Sequence, residues 1–511
     1  MATAIHSFND SIVYAGRRQI TTSMAAVTRD NVLEMLDKAY PTHMANRSDI
    51  EYLYKYYKGI QPILGRVKEI RPEICNRIVE NRANAIVTFR VGYTVGKPVQ
   101  YVSGVSDEKV SQAIAKLNDL MRISGKATKD KQLVEWMMIC GTGYRVILPK
   151  REKRAAVPFD LSTADPRQCF VVYSNDIAHT PLCGVYYTVD DNQDTTFHIY
   201  TETEYFKVEG WQSGRVVTAE ANPVGRIPII EYPLNMARLG AFEVVLELLD
   251  ALNNLNSNNL DAVEQTVQSL LIAYNCEFEE GVTANRIREA GMISLKSVGD
   301  AKADIKEIHG NLDQLQTQTL KQALLDAINE IAGIPAQSNG HTSDSSNNGA
   351  VVLKNGWQGA ETRAQDFEQM FNEPEHRLIE IAADICGRLL PDFSLDPNTV
   401  EPKFTRRNYE DILSKSQTLI TMLNNPKVHP QCAYEACGLF VDTQDAYNMG
   451  MDWFKEYGQL QPVTGTGATG AAGPSQLPQP QKPIGYTGDD DEENDSPGKG
   501  GKHWVKGYWK S

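Results

Sequence analysis

The segment FEVVLELLDALNNLNSNNLDAVEQTVQSLLIAYN, residues 242–275, combines a helical apolar pattern with an unusual distribution of charge. Its apolar side chains recur at three- and four-residue spacing, which predicts an amphipathic helix. The uncharged polar patch NNLNSNN, residues 253–259, lies in the middle and weakens helix propensity without ending the helix. The sequence therefore predicts one long helix over residues 242–275.

The charged residues of this predicted helix are all acidic. They are Glu243, Glu247, Asp250, Asp261 and Glu264, and the segment has no lysine or arginine. Surface helices usually mix acids and bases, because opposite charges one turn apart stabilise them. The chain carries a net charge of −14, and residues 242–333 account for −9 of it. We interpret this clustered charge as a surface that repels a polyanion passing close by; an ordinary solvated face is the alternative.

A long polar connection, AQSNGHTSDSSNN, follows the helical pattern of residues 312–333. It covers residues 336–348 and contains no large apolar side chain. Connections between helices usually have about 2–8 residues, and longer ones are usually functional or disordered. A second helical pattern occupies residues 349–390, where Pro374 predicts a kink or a restart. Two interpretations of the connection stay open, a functional finger and a disordered surface loop.

The remaining sequence predicts an α+β fold in which helices predominate. The segment RPEICNRIVENRANAIVTFRVGY (71–93) has mainly helical spacing, and Ser106 is a suitable N-cap for the helix that follows it. CFVVYS, GVYYTV, TFHIYT and YFKVEG, between residues 169 and 210, predict an antiparallel meander. After Val463 the composition is that of a linker and a disordered tail.

The sequence offers no positive case for an enzyme. GYTVGKP (92–98) has one residue too few for a phosphate-binding loop and places Pro98 where a Ser or Thr would bind Mg²⁺. No HExxH, CxxC or GxSxG pattern occurs, so we expect no catalytic residue, metal site or cofactor. No apolar run approaches the roughly 18 residues of a membrane span, and the first residues lack the layout of a secretory signal.

Several stretches, taken in order, resemble the tailed-bacteriophage portal proteins, most nearly the siphophage family related to SPP1. They are YTVGKPVQY, IPIIEYPLN, AGIP followed by a polar loop and GAVVLK, and FTRRNYEDI. The resemblance covers roughly residues 50–460. The sequence differs from the family at Asn348-Gly349, where the family frequently has a Ser-Gly pair. The resemblance does not extend to the tail HWVKGYWK.

The resemblance implies a portal fold of wing, stem, clip and crown, assembled as a ring with a central DNA channel. The implied segments are an N-terminal arm (1–49), a wing (50–241), stem helix 1 (242–275), a clip (276–311), stem helix 2 (312–335), a tunnel loop (336–348), a kinked wing helix and strand (349–405), a crown (406–462) and a disordered tail (463–511).

The resemblance also assigns roles to residues. The tunnel loop would face DNA through Ser338, Asn339, Gly340, His341, Thr342, Ser343, Ser345, Ser346, Asn347 and Asn348. The five stem acids would line the channel. The clip would dock the motor and an adaptor through Glu277, Glu279, Glu280, Arg286, Arg288, Glu289 and Lys296. We expect the loop to grip DNA weakly by neutral hydrogen bonds while the acidic wall prevents adhesion.

The implied function is a non-enzymatic conduit for packaging and ejecting double-stranded DNA at one capsid vertex. The implied partners are eleven further copies in a ring of twelve, DNA bound without sequence preference, the large terminase subunit, the major capsid and scaffolding proteins, and a head–tail adaptor, but no membrane. We expect the protein in the virion and, during assembly, in the host cytoplasm. The alternatives are another virion structural protein, such as an adaptor or scaffold, and a helical-capped hydrolase or transferase.

Overall fold

The computed structural model describes most of the chain, with gaps. The described residues are 16–69, 71–105, 107–150, 156–267, 270–274, 276–278, 295–297, 304–308, 314–335, 357–405, 412–440, 443–457, 504–505 and 508–509. The chain divides into two units, Met1–Met451 and Asp452–Ser511.

Helices dominate the described residues. They are α1 (Val32–Tyr57), α2 (Arg82–Thr94), α3 (Glu108–Ile123), α4 (Lys126–Cys140), α5 (Leu246–Val267), α6 (Gln314–Ala332), α7 (Trp357–Leu389), α8 (Ile412–Leu423), α9 (Pro430–Cys437) and α10 (Thr443–Tyr457). The last three lie in the region, residues 406–462, to which the resemblance assigns the crown.

The strands are short and lie in several small sheets and one larger one. They are β1 (Ile20–Thr22), β2 (Gln100–Ser103), β3 (Thr142–Pro149), β4 (Phe159–Ala164), β5 (Cys169–Ser174), β6 (Pro181–Val189), β7 (Thr195–Tyr200), β8 (Glu204–Glu209), β9 (Val216–Ala221), β10 (Ile229–Pro233), β11 (Leu270–Tyr274), β12 (Cys276–Phe278), β13 (Leu295–Ser297), β14 (Asp304–Ile308), β15 (Val400–Lys403), β16 (Trp504–Val505) and β17 (Tyr508–Trp509). In the second unit, β16 pairs with β17 within the tail that the sequence predicts to be disordered.

The largest sheet has the order β1-β5-β6-β7-β8-β9. Its strands β5 to β9 are the antiparallel meander, so that prediction is confirmed. β1 adds a parallel edge strand beside β5. α1 packs on this sheet through Val32, Met35 and Leu36, while its second half enters the main core through Leu53 and Tyr56. The boundary between arm and wing that the resemblance implies, between residues 49 and 50, therefore falls inside one continuous helix. This helix, α1, packs into both cores.

The main core lies between the sheet β10-β3-β4 and helices α2 to α7. At its centre a buried carboxylate, Glu375 on α7, accepts hydrogen bonds from Tyr101 (2.7 Å) and Tyr232 (2.8 Å) and pairs with Lys126 (2.8 Å). Burial alone would raise the pKa of Glu375, but the charges of Lys126 and Arg145 hold it well below its usual range.

This centre connects elements that are distant in sequence. Lys126 also pairs with Asp130 (2.7 Å), which pairs with Arg145 of β3 (2.6 Å). The network thus ties α7 to β2, α4, β3 and β10 through side chains that are all buried. Sequence inspection did not identify it, because its members come from five separate segments.

Two local predictions need correction, and one alternative is removed. Of the two outcomes predicted at Pro374, the restart is wrong, because α7 is one continuous helix through this residue. Pro374 is buried on the same face as Phe371 and Leu378. Residues 270–274 are not helical but form β11, because they pair along their full length with β14. Asp107, not Ser106, caps α3 by accepting from the Lys109 N–H (2.8 Å); Ser106 itself lies outside the described residues.

We predict that Glu375→Ala lowers the free energy of unfolding by about 3–5 kcal/mol, because it leaves two buried cations, Lys126 and Arg145, with a single buried carboxylate, Asp130, between them. Urea denaturation measures this change. Glu373→Ala is the matched control two residues away: its pair with Arg377 is on the surface, where about 0–1 kcal/mol is expected. Equal losses for the two variants would contradict a structural role for the buried network.

Candidate functional site

The candidate site is α5 together with a mainly irregular segment packed along it, residues 61–69 and 71–81, which we call the strap. The strap includes one short 3-10 helix, Pro62–Gly65, and is extended where it meets α5. Three α5 side chains, each one helical turn after the last, accept hydrogen bonds from strap backbone N–H groups. The pairs, which we call the polar ladder, are Asn253 with Glu80 (2.8 Å), Ser257 with Ile78 (3.0 Å) and Asp261 with Asn76 (2.7 Å).

The ladder is regular because two repeat distances match. Four residues of an α-helix advance about 6 Å, and two residues of an extended chain advance about 6.6 Å. Alternate strap residues therefore meet every fourth helix residue, and the two segments run in opposite directions. This pairing satisfies the N–H groups of Asn76, Ile78 and Glu80, in the part of the strap (75–81) that forms no helix or sheet of its own.

The ladder explains the patch NNLNSNN. Asn253 and Ser257 are fully buried, and Asn253 also donates to Gln61. Asn256 donates to the Glu80 carboxylate (2.8 Å). The prediction that residues 71–81 are mainly helical is wrong for this reason: helix α2 begins only at Arg82, where Asn81 caps it. The sequence does contain a signal for this contact: Asn253, Ser257 and Asp261 are polar residues spaced four apart within the apolar stripe of a helix.

The strap supplies bases to the acidic helix. Asp261 is buried and pairs with Arg66 (3.0 Å) and Lys68 (2.9 Å). Burial opposes its charge, but hydrogen bonds from Lys68 and Asn76, with the charge of Arg66, lower the pKa of Asp261 to about 2. This acid is therefore compensated by residues about 190 positions earlier in the chain.

Glu243 is compensated at the other end of the segment. It is fully buried, its carboxylate pairs with Arg17, and it accepts from the Gly240 N–H (2.7 Å). Burial raises the pKa of Glu243 to about 7, although the charge of Arg17 acts in the opposite direction. Glu243 lies just before α5, in a short 3-10 turn, and α5 itself begins at Leu246.

The expectation that five uncompensated acids line a channel is thus wrong for Glu243 and Asp261. Asp250 is half-buried and accepts from the Tyr56 hydroxyl (2.8 Å), and burial raises its pKa. Glu247 is exposed and Glu264 is half-buried. Only these last two acids stay candidates for an acidic surface that another molecule could meet.

The other predicted site residues are only partly described. The loop 336–348 lies outside the described residues, as do Glu279, Glu280, Arg286, Arg288 and Glu289. Glu277 and Lys296 lie opposite each other in the antiparallel pair β12 and β13. This pair and the pair β11 and β14 stand between α5 and α6 in the chain.

In the described part of the chain, no group of three or more His, Cys, Asp or Glu residues could hold a metal ion. No helix there is long and apolar enough to cross a membrane.

Comparison with known families and structures identifies relatives. The family model of phage portal proteins, SPP1 Gp6-like, matches residues 36–449. One similar structure is a chain from the neck of an empty GTA particle computed with C6 symmetry, with a TM-score of 0.40, 14% identity, and coverage of 70% of this chain and 90% of that chain. A chain from the neck of a native GTA particle computed with C12 symmetry has a TM-score of 0.39, 14% identity, and coverage of 70% and 89%. No curated protein matched.

We predict that Ser257→Ala lowers the free energy of unfolding by about 1–3 kcal/mol, because the Ile78 N–H loses its acceptor in a buried place. Asn254→Ala is the control on the exposed side of the same helix, with an expected change within about 0.5 kcal/mol. Chemical denaturation of both variants measures the difference. A Ser257→Ala variant as stable as the control would show that the ladder does not hold the strap.

Proposed function

The chain belongs to the SPP1 Gp6-like family of phage portal proteins, and we propose that twelve copies form a ring at one capsid vertex through which double-stranded DNA passes. The ring would admit DNA during packaging and release it during ejection. The protein acts as a conduit and has no enzymatic step of its own, so the ATPase that drives packaging is a separate chain.

Exposed apolar side chains on the stem helices support assembly with further copies. Leu260 and Val263 of α5 border an open hollow of about 440 Å³ beside the strap. On α6, Leu315 is 79% exposed and Leu320 is 52% exposed. Large contiguous apolar patches on a protein surface usually mark protein–protein contacts. Packing of neighbouring stems in a ring would remove these side chains from water.

The remaining stem acids suit a channel wall. A ring would repeat Glu247 and Glu264 in every subunit, whereas the compensated acids contribute no free charge. At physiological ionic strength charges interact over about 8 Å, so such a wall would repel phosphates mainly at close range. DNA would then slide without the multiple phosphate contacts that make basic proteins adhere to it.

The loop 336–348, between α6 and α7, is proposed as the element that contacts DNA. Its hydroxyl and amide side chains offer neutral hydrogen bonds to phosphate and sugar, which position DNA without reading its sequence. Thirteen residues doubled back would reach about 20 Å, at about 3.3 Å per residue. Gly340 and Gly349 would let the loop change conformation as DNA passes.

The clip region is proposed as the docking surface for the other machinery. Its mixed charges between residues 277 and 296 suit reversible polar contacts, first with the large terminase subunit and then with a head–tail adaptor. The wing would contact the major capsid and scaffolding proteins. These partners place the protein at the portal vertex of the virion, and in the host cytoplasm during assembly.

We predict that the purified protein forms a closed assembly of about twelve times the chain mass of 56.9 kDa. Native mass spectrometry measures the stoichiometry directly. A closed ring with one subunit more or fewer would still agree with a DNA conduit and would change only the number of copies. A protein that is monomeric at all concentrations, also in the presence of scaffolding protein, would contradict the proposed ring.

We predict that deletion of residues 338–347 leaves the ring intact and impairs DNA packaging or retention, because the proposed contact between protein and DNA is lost. Packaged DNA per particle, measured by nuclease protection, tests this. A matched control replaces the same ten residues by a Gly/Ser segment of equal length, which preserves reach but removes the histidine and asparagines. Unchanged packaging and retention in the deletion variant would make the loop a passive surface segment.

A further inference from the structure

A hollow of about 250 Å³ lies where four elements meet. Its walls come from α2, the segment 234–244, the end of α6 and the first turns of α7. The lining is mostly apolar and aromatic, with Phe89, Tyr93, Leu239 and Phe367 among its side chains. Two arginines, Arg90 and Arg363, also line it, and we call the hollow the arginine socket.

Arg363 has a fixed position in the socket. Its guanidinium donates to the carbonyl oxygens of Ile331 (2.7 Å) and Glu330 (3.4 Å) in the last turn of α6. A cation at this end of a helix is stabilised by the helix dipole. Gly333, which has a φ of +67°, allows the close approach: a Cβ there would lie 2.3 Å from Arg363 Nε.

Arg90 has no such compensation. It is half-buried on α2, and no described carboxylate forms an ion pair or hydrogen bond with its guanidinium. Burial lowers the pKa of Arg90 to about 10, and the nearby charge of Arg363 acts in the same direction. A desolvated cation beside a second cation is unfavourable unless an anion is supplied. Asp366 also lines the socket but does not pair with Arg90 among the described contacts.

Exposed apolar side chains lie at the rim of the socket and beside it. Val244, which lines the socket, is 54% exposed. Met236, the residue after the lining residue Asn235, is 89% exposed on a turn that Asn235 holds by hydrogen bonds with Leu239. A bare phosphate would gain nothing from such a rim or from aromatic walls. A peptide segment with a carboxylate next to an apolar side chain matches both the charge and the surface.

We propose that the arginine socket receives an acidic and apolar segment from a second copy of this chain, with the carboxylate of that segment placed against Arg90. The proposal rests on the ring proposed above. Copies of a chain with a net charge of −14 have many carboxylates to offer, and a ring brings the same two surfaces together at every interface. The socket would thus fix the angle between neighbouring subunits.

Photocrosslinking identifies the occupant. Val244 is replaced by p-benzoylphenylalanine, and purified rings are irradiated with and without a short DNA duplex. We expect crosslinks between two copies of the chain, mapped by mass spectrometry to a peptide with Asp or Glu near an apolar residue. Crosslinks to DNA alone, or no crosslinks between copies in rings of normal mass, would overturn the proposal.

Charge reversal tests the energetic role. Arg90→Glu should raise the chain concentration needed for half assembly at least about tenfold, which corresponds to about 1.4 kcal/mol, whereas Arg90→Lys should change it less. Arg122→Glu is the control, because that arginine is 74% exposed on α3 and, among the described residues, pairs only with its helix neighbour Asp119. Thermal melting of the dilute variants verifies that the subunit still folds. If the wild type forms rings and Arg90→Glu assembles equally well, the socket proposal fails while the ring stands; if the wild type forms no rings, the proposed function itself fails.

Discussion

The polar ladder between α5 and the strap is the constraint on which the described part of the proposed stem depends. Extended backbone can be buried only when its N–H groups find acceptors, and here the acceptors are side chains of a helix. Asn253, Ser257 and Asp261 are therefore needed where a helix would otherwise favour apolar or charged residues. The same contact brings Arg66 and Lys68 to the acidic helix, so that one interaction fixes both the path of the strap and the local charge.

Because Glu243 and Asp261 are paired with bases, the segment 242–275 carries less free negative charge than its sequence alone suggests. A row of five free carboxylates would be costly in every subunit and more so in a ring, where like charges face one another. Burying Glu243 and Asp261 against bases removes that cost and leaves Glu247 and Glu264 as the free charge. The proposed channel wall would then be mildly acidic, which suits repulsion of DNA at short range without opposing assembly. The buried network at Glu375 supports this arrangement by connecting α7 to the sheet and to α4.

The sequence predicted those features whose cause is local. Short β-branched and aromatic runs identified the meander strands β5 to β8, and helical spacing identified α3 and α6. It failed where a distant segment decides the outcome: 71–81 is extended because α5 binds it, and 270–274 is a strand because β14 pairs with it. For the same reason the partners of Glu243 and Asp261, Arg17 and Arg66, could not be found by inspecting the helix alone.

A cryo-electron microscopy reconstruction of the purified assembly tests the central claim most directly. The account predicts a closed ring in which the exposed Glu247 of α5 faces a shared lumen while the strap stays bound along Asn253, Ser257 and Asp261. A reconstruction in which Glu247 points to the outer solvent, or in which the subunits enclose no central opening, would contradict it.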